Sequence, residues 1–565
     1  MKTKWRLITE FAKTNSYLFL ATFLSGLLYN VLTLLIPISI GRFYEFNFGF
    51  SSHRLQIIKS VPFINTQDFT EFLIFFFCIV GIRFVFEYIN KYLIALICEK
   101  FAKDLREKLF AHQLQVATEV YDQKGIGKYL LRYSGDLKSI QNYISRGLLR
   151  FLQDVFLIVI LLVAIAYIDI NLGLILSGSI IIFSLILFFI NKLLYTISVK
   201  RRNKRSQILS FINTRLRGIH TIKAFNKYTP EEKRYRKRSG ELLEIGKKYQ
   251  KVASSIQALI PALTYAMLGI LMTYVYYSKN AQNSTVDQSV LLILILLIIS
   301  FLPIFRRILR VSIVWKLGNI SFEKLIKILS LKAENSLEFQ NLDVKDKQIV
   351  FKDITFIYPN SNRKVFENTS FTIEPRNTTV IIGNSGAGKS AFVGLLLKMY
   401  PPNEGNITYG KNTIDQLSEK SIRKNIAVVS KDFPLYGKDV YEAIVYSRKK
   451  HKKYKSVALL KDLQKFEHPK DVLTLDDRIG DLGNILTGSQ KKILMYCRAL
   501  LTNKPILLID DPFKELNPDT ENYIKSLLNG LKGKKTIIIM DKNPIDGLDT
   551  DSHYIIKEHG FIKQD

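Results

Sequence analysis

Six stretches of this chain are apolar over the length that a bilayer demands of a crossing helix, about 20 residues. They lie near 16–41, 69–97, 148–168, 171–195, 253–277 and 288–305. A backbone in hydrocarbon has no water to bond, so each stretch must satisfy its own hydrogen bonds as an α-helix. Only Asp169 and Ile170 separate the third and fourth, which predicts a tight outer hairpin. The N-terminal half is therefore expected to be an α-helical membrane domain of six transmembrane helices, with the lipid bilayer as its first partner.

Charge supports the same reading. Lys and Arg number 81 against 49 Asp and Glu, a net charge of +32. In a soluble protein this excess suggests nucleic acid. Here much of it flanks the apolar runs, so no nucleic-acid partner is expected. Lys200, Arg201, Arg202, Lys204 and Arg205 follow the fourth run, and Lys233, Arg234, Arg236, Lys237 and Arg238 precede the fifth. The outer loop near 279–287 carries only Lys279. This asymmetry predicts a multi-pass protein of the inner (plasma) membrane, with its N-terminus and both long loops in the cytoplasm. Six spans return the C-terminal part to the same side. No small-residue cleavage site follows the first run near Pro37 to Gly41, so an uncleaved first span is expected rather than a signal peptide. The three cysteines, Cys78, Cys98 and Cys497, have no metal-site spacing and are read as packing residues.

The long loops keep apolar residues at helical spacing, as in Leu105, Leu109, Phe110 and Leu114, so the membrane helices are expected to continue as long cytoplasmic extensions. The pattern turns polar near 331–348, a linker containing Asn335 and Ser336, and from Ile349 becomes short β-type runs alternating with helices. The expected domains are thus 1–330, membrane; 331–348, linker; and 349–565, an α/β domain.

The run Val380-Ile381-Ile382 reads as a buried strand. It leads into Gly383-Asn384-Ser385-Gly386-Ala387-Gly388-Lys389-Ser390, and an apolar helix follows. This matches the phosphate-binding loop in its strand–loop–helix context, so 349–565 is expected to be an α/β P-loop ATPase domain. Its glycines let backbone N–H groups turn toward phosphate oxygens, and the helix N-terminus adds its dipole. Lys389 offers a point charge to the outer phosphates of ATP, and Ser390 a hydroxyl to Mg²⁺. A second buried strand, Ile506-Leu507-Leu508-Ile509, ends in Asp510-Asp511, and an acid there suits Mg²⁺ coordination.

These features, in this order, resemble the ATP-binding cassette (ABC) exporters, which carry six spans and one cassette per half. The resemblance covers essentially the whole chain. It implies that Tyr358 stacks on adenine. It also implies that Leu486-Thr487-Gly488-Ser489-Gln490 is the signature that closes on ATP held by a second cassette. Tyr121-Asp122 through Gly127, with Arg132 and Asp136, resembles a first coupling segment, and Gly218 through Phe225 a second.

Four positions depart from the family pattern. Lys431 stands where a Gln is expected, and Asp511 where the hydrolytic Glu is expected. Asp541 stands for the expected His, and Asn517 for an Asp. Shortening Glu to Asp withdraws the base by about 1.5 Å, and misplacement of about 1 Å costs on the order of 10²-fold. The chain is therefore expected to bind ATP and hydrolyse it weakly at Asp511, Lys431 and Asp541. It would act with a second, hydrolysis-competent half-transporter on an unknown exported substrate. The competing readings are a nucleotide-binding regulatory or assembly subunit and a slow homodimeric exporter or lipid flippase.

Charges at membrane depth leave two readings open. Arg83 pairs with Glu87 and Arg306, Arg307 and Arg310 lie at the membrane edge, or these cations line a cavity for anionic or amphipathic cargo.

Overall fold

Long helices dominate the first part of the computed structural model, which describes residues 4–48, 69–124, 129, 132–168, 170–280, 288–334, 347–359, 361–446 and 453–564. Gly127, Asp169, and the expected linker and outer-loop residues 335–346 and 281–287 lie outside the described residues.

A short amphipathic helix, Lys4–Thr14, precedes helix Ser16–Phe48. Helices Phe69–Gln115, Ile170–Arg217 and Tyr228–Asn280 run for 47, 48 and 53 residues. At about 1.5 Å per residue each spans roughly 70 Å or more, over twice the hydrocarbon thickness. The apolar runs therefore continue as helix well beyond a bilayer, as their periodicity predicts. Among the described residues, five helices are long and apolar enough to cross a membrane: Ser16–Ile40, Phe69–Gln115, Leu137–Tyr167, Ile170–Arg217 and Tyr228–Tyr274. The sixth expected span falls in helix Gln288–Leu329, where many side chains before Ile304 lie outside the described set.

The helices pack through Leu157, Leu161, Leu176, Ile260 and Phe305. Asp136 is buried and bridges Arg132 at 2.6 Å, Arg202, and the hydroxyl of Ser321 at 3.0 Å. Cys98 and Cys497 are buried, as packing residues should be, whereas Cys78 lies on an open face of its helix.

The chain forms two compact units. One comprises Met1–Leu114 and Ile126–Leu331, and the other Gln115–Gly125 and Lys332–Asp565. The division cuts through the expected first coupling segment. Tyr121 and Asp122 fold with the cassette, in helix Thr118–Lys124, while Arg132 and Asp136 fold with the membrane helices.

Among the described residues the cassette carries ten strands. An antiparallel sheet runs β2-β1-β4-β5, formed by β1 (Ile349–Ile357), β2 (Lys364–Ile373), β4 (Glu404–Tyr409) and β5 (Asn412–Thr413). The second sheet runs β10-β9-β3-β8-β7-β6. Its members are β3 (Thr378–Ile382), β6 (Ile426–Val429), β7 (Ile506–Asp510), β8 (Thr536–Asp541), β9 (Ser552–Lys557) and β10 (Gly560–Gln564). From β9 to β6 every pairing is parallel. Strands buried on both faces read as unbroken apolar runs, which explains the Ile- and Leu-rich sequences of β3, β7 and β8. Val380, Leu508 and Ile538 are fully buried.

Candidate functional site

The parallel register fixes where the polar residues emerge. Ile382 pairs with Asp541, Asp510 with Met540, and Val429 with Ile509. The carboxyl ends of β3, β8, β7 and β6 therefore deliver Gly383, Asp541, Asp510-Asp511 and Ser430-Lys431 side by side along one edge. In open α/β sheets, ligands bind outside this edge.

The loop after β3 closes tightly. Gly386 and Gly388 adopt φ of +83° and +114°, which side chains rarely tolerate. A Cβ on Gly388 would come within 2.8 Å of Val365 and 2.9 Å of Phe366. A Cβ on Gly386 would meet nothing within 4 Å, so it is the positive φ that favours glycine there. The amide of Ala387 donates to Asn384 at 3.0 Å, and that of Gly383 to the Asp541 carbonyl at 2.9 Å. Lys389 begins helix Lys389–Leu396, and its ammonium arches back to the Gly383 carbonyl at 2.6 Å. Ser385 lies on the loop's exposed rim, and Ser390 sits in the first turn of the helix. These residues fit a polyphosphate: a backbone cradle, a mobile cation and a hydroxyl for Mg²⁺.

Asp510 is 5% exposed and accepts a hydrogen bond from the buried Ser430 hydroxyl at 3.1 Å. Burial, with Asp511 adding to it, pushes its carboxyl up from the ordinary range, while Ser430 and Lys389 oppose this. A divalent cation would relieve exactly such a desolvated charge, which suits Asp510 to Mg²⁺. Asp511 is half-buried with φ of +50°, and its amide donates to the Met540 carbonyl at 2.9 Å.

Two of the altered positions, Lys431 and Asp541, carry opposite charges. Lys431 is exposed, and among the described residues it forms no ion pair with Asp541. The Asp541 carboxylate instead accepts the amides of Lys542 at 2.5 Å and Asn543 at 3.1 Å. The sheet order explains this, because β7 lies between β6 and β8 and two strand spacings amount to roughly 10 Å. Asn517 caps helix Pro518–Asn529, accepting the Thr520 amide at 2.7 Å and donating to Glu467 at 2.8 Å. Asp would cap the helix as well, but only an amide can donate to the Glu467 carboxylate.

The signature residues start helix Gly488–Leu501 through a capping box. The Thr487 hydroxyl accepts the Gln490 amide at 3.3 Å, and the Gln490 side chain accepts the Thr487 amide at 2.9 Å. At Gly488 an added Cβ would come within 2.1 Å of the Glu515 carboxylate, so that flexible side chain would have to swing aside. The Ser489 hydroxyl is buried without a hydrogen-bond partner. Tyr358 is half-buried, its ring edge-on to Phe356 at 5.0 Å and to Tyr400 at 5.5 Å.

Sequence reasoning gave no role to Ser430, Lys492 or Tyr400. Ser430 and Tyr400 meet Asp510 and Tyr358 only through folding. Lys492 had one local signal, a lysine opening the buried run Ile493-Leu494-Met495-Tyr496-Cys497.

In the helical unit, Arg83 ion-pairs with Glu87 at 3.3 Å, and Arg307 forks onto the buried Asp154 at 2.9 and 2.6 Å. Arg310 is exposed, and the Arg306 side chain lies outside the described set.

Comparisons with known proteins agree with this geometry. Residues 18–302 match the ABC transporter transmembrane region, and residues 366–514 match the ABC transporter family model. The ATP-dependent lipid A-core flippase of Pasteurella multocida (strain Pm70) is 25% identical over 513 residues, covering 89% of this chain and 86% of that one. The flippase of the same description from Photorhabdus laumondii is 24% identical over 484 residues, covering 84% and 82%. The solved structure of a bacterial Atm1-family ABC exporter with ATP bound superposes with a TM-score of 0.83 at 19% identity, covering 97% of this chain and 94% of that one.

Proposed function

Because this chain belongs to the ABC transporter family, an ATP-driven exporter with its membrane region fused to an ATP-binding cassette, we propose that it binds Mg-ATP at the Gly383–Ser390 loop and hydrolyses it weakly there. The observation that carries this reading is an intact phosphate loop at the same sheet edge as an altered acid, Asp511.

The domains are taken as 1–330, six spans; 331–348, linker; and 349–565, cassette, with the N-terminus and cassette cytoplasmic. Tyr358 stacks on the adenine, the Asn384–Gly388 amides and Lys389 hold the phosphates, and Ser390 with Asp510 holds Mg²⁺. When bound, Mg-ATP supplies the phosphoryl group whose transfer to water drives transport. Asp511 is the base that orients that water, one methylene short of Glu. Lys431 and Asp541 flank the outer phosphate from β6 and β8, in place of the neutral and cationic groups of the family pattern. Thr487, Gly488, Ser489 and Gln490 close on ATP held by a second cassette.

Weak hydrolysis at this site favours a heterodimer, in which the partner's own acid completes the firing site while ATP at Lys389 persists over many cycles. The names of the relatives favour a second reading, a slow homodimeric flippase with a lipid cargo. Two measurements separate these readings. The chain is purified alone and with the product of an adjacent exporter gene, and ATPase and lipid transport are compared in vesicles. Full-rate transport by the chain alone would refute the heterodimer. Lys389→Ala should weaken ATP binding by calorimetry at least about tenfold, since it deletes a charge-assisted contact to phosphate. Unchanged affinity would remove the site assignment.

A further inference from the structure

Tyr400 stands where three parts of the cassette unit meet. Its ring packs edge-on to Tyr358 at 5.5 Å and tilted to Phe356 at 5.8 Å. It also covers Gly394 on the helix that starts at the phosphate loop, where an added Cβ would come within 2.7 Å of the Tyr400 ring. Its hydroxyl reaches away from both and donates to the Asp122 carboxylate at 2.5 Å. Burial and the Asp122 charge push the phenol up, so the hydroxyl remains a donor at any physiological pH.

Asp122 lies on helix Thr118–Lys124, in the segment Gln115–Gly125 that leaves the long membrane helix and folds with the cassette. That segment is held by backbone as well. Val116 bridges Ala333, the Ala117 amide donates to the Lys332 carbonyl at 3.1 Å, and the Glu334 amide donates to Gln115 at 2.6 Å. Glu334 in turn pairs with both guanidinium nitrogens of Arg423 at 2.8 and 2.9 Å. A cavity of about 210 Å³ lies beside Tyr400, lined by Glu119, Lys332, Lys398 and Pro402 among others, and leaves room for the segment to shift.

We propose that Tyr400 is a positioning residue that reports adenine occupancy at Tyr358 to Asp122, and so couples nucleotide binding to the 115–125 segment. The inference rests on the reading of Tyr358 as the adenine platform. A base stacked on Tyr358 fixes that ring, the fixed ring confines Tyr400 against Gly394, and a confined Tyr400 holds its bond to Asp122. Without the base, Tyr358 and Tyr400 share more ring orientations and the bond to Asp122 is made less often. The hydroxyl carries the message, while the ring alone supports the platform.

The test is hydrogen exchange of the amides of 116–124 in the full chain in lipid nanodiscs, with and without Mg-ATP. A hydrogen bond to a charged acceptor is worth roughly tenfold or more in a local opening equilibrium. Mg-ATP should therefore slow exchange of this segment about tenfold in the wild type. Tyr400→Phe should abolish that slowing and, because coupling is reciprocal, weaken ATP affinity by calorimetry by no more than the same tenfold factor, since the ring under Tyr358 remains. Asp122→Asn removes the charge from the other end and should give the same loss, which keeps the test decisive where one variant folds poorly. Slowing that persists in both variants overturns the relay. Wild-type protein that binds no ATP would overturn the site reading itself, and the relay with it.

Discussion

The ammonium of Lys492 lies buried beneath the turn after β7 and donates to the Asp511 carbonyl at 2.7 Å and the Asp510 carbonyl at 3.3 Å. Lys492 belongs to the helix that carries the signature, so that helix is tied directly to the backbone of the acid pair. A second tie runs from Arg498 on the same helix to the Phe433 and Pro434 carbonyls at 2.8 and 3.0 Å, just after Lys431. The helix Gly488–Leu501 is thus bonded to the chain on both sides of the β7 edge, after β6 and after β7.

Lys492→Met keeps the length of the side chain and deletes the donor. Two backbone carbonyls then lose their partner, and the left-handed turn at Asp511 loses its brace. Hydrogen bonds from charged donors contribute about 1.5–3 kcal/mol, and the variant should lose stability of that order. The neighbouring Lys491→Met should stay within about 0.5 kcal/mol of wild type, as surface changes usually do. Thermal unfolding of the two variants in detergent reads the difference directly. Equal melting temperatures would show that the buried bonds contribute nothing.

Asp510 is a site where binding and stability oppose each other. Its folded carboxyl is raised by burial and by Asp511, so the group favours folding while protonated and this contribution is lost as pH rises through the raised value. At neutral pH the ionised carboxylate is therefore a cost to the empty fold. Asp510→Asn removes that charge and keeps the acceptor for Ser430. The nucleotide-free variant should melt higher than wild type at pH 7, and the gain should shrink as the pH is lowered. The extra stabilisation that Mg²⁺ gives to ATP-bound protein should vanish. A variant that melts lower without nucleotide would contradict the electrostatic account.

How far the sequence could be read follows from which features are local. Val380-Ile381-Ile382 followed by Gly383–Ser390 is a contiguous signal, since strand, loop and helix start lie within a dozen residues and each has its own residue preference. Long apolar runs are equally local, and so is their continuation as helix. The bond of Ser430 to Asp510 joins residues 80 apart, and that of Tyr400 to Asp122 joins residues 278 apart. No periodicity encodes such pairs, because they depend on strand order and on which unit a connecting segment joins. The same reason hides the separation of Lys431 and Asp541, because the placement of β7 between their strands could be known only from the sheet.

That geometry changes what a double-mutant cycle of Lys431→Gln and Asp541→His should show. Without nucleotide the two effects on thermal stability should add within about 0.5 kcal/mol, as for separated sites with no shared partner. If both side chains face the same outer phosphate when Mg-ATP is bound, coupling should appear in nucleotide affinity. Coupling that is equal in both states would mean the side chains touch without ATP. Additivity in both would mean that neither reaches the phosphate.

The bidentate bond from Arg307 to Asp154 separates the two readings of the charges at membrane depth. Asp154 has a side chain only 8% exposed, and both its oxygens are taken by Arg307 at 2.6 and 2.9 Å. The Arg307 side chain is 45% exposed, so its removal leaves only the Asp154 charge buried without its partner, at a cost of about 1–3 kcal/mol, whereas replacing both with apolar residues is often nearly neutral. Arg307→Ala should therefore melt below wild type in detergent, and the double variant Arg307→Met with Asp154→Leu should recover most of the loss. Arg310 is exposed, so Arg310→Ala should leave the melting temperature unchanged. If the double variant is stable and keeps the ATPase stimulation given by an anionic lipid, Arg307 serves the helix packing alone. If it is stable and that stimulation is lost, Arg307 also faces cargo. A single Arg307→Ala as stable as wild type would show that the fork to Asp154 does not hold the helices together.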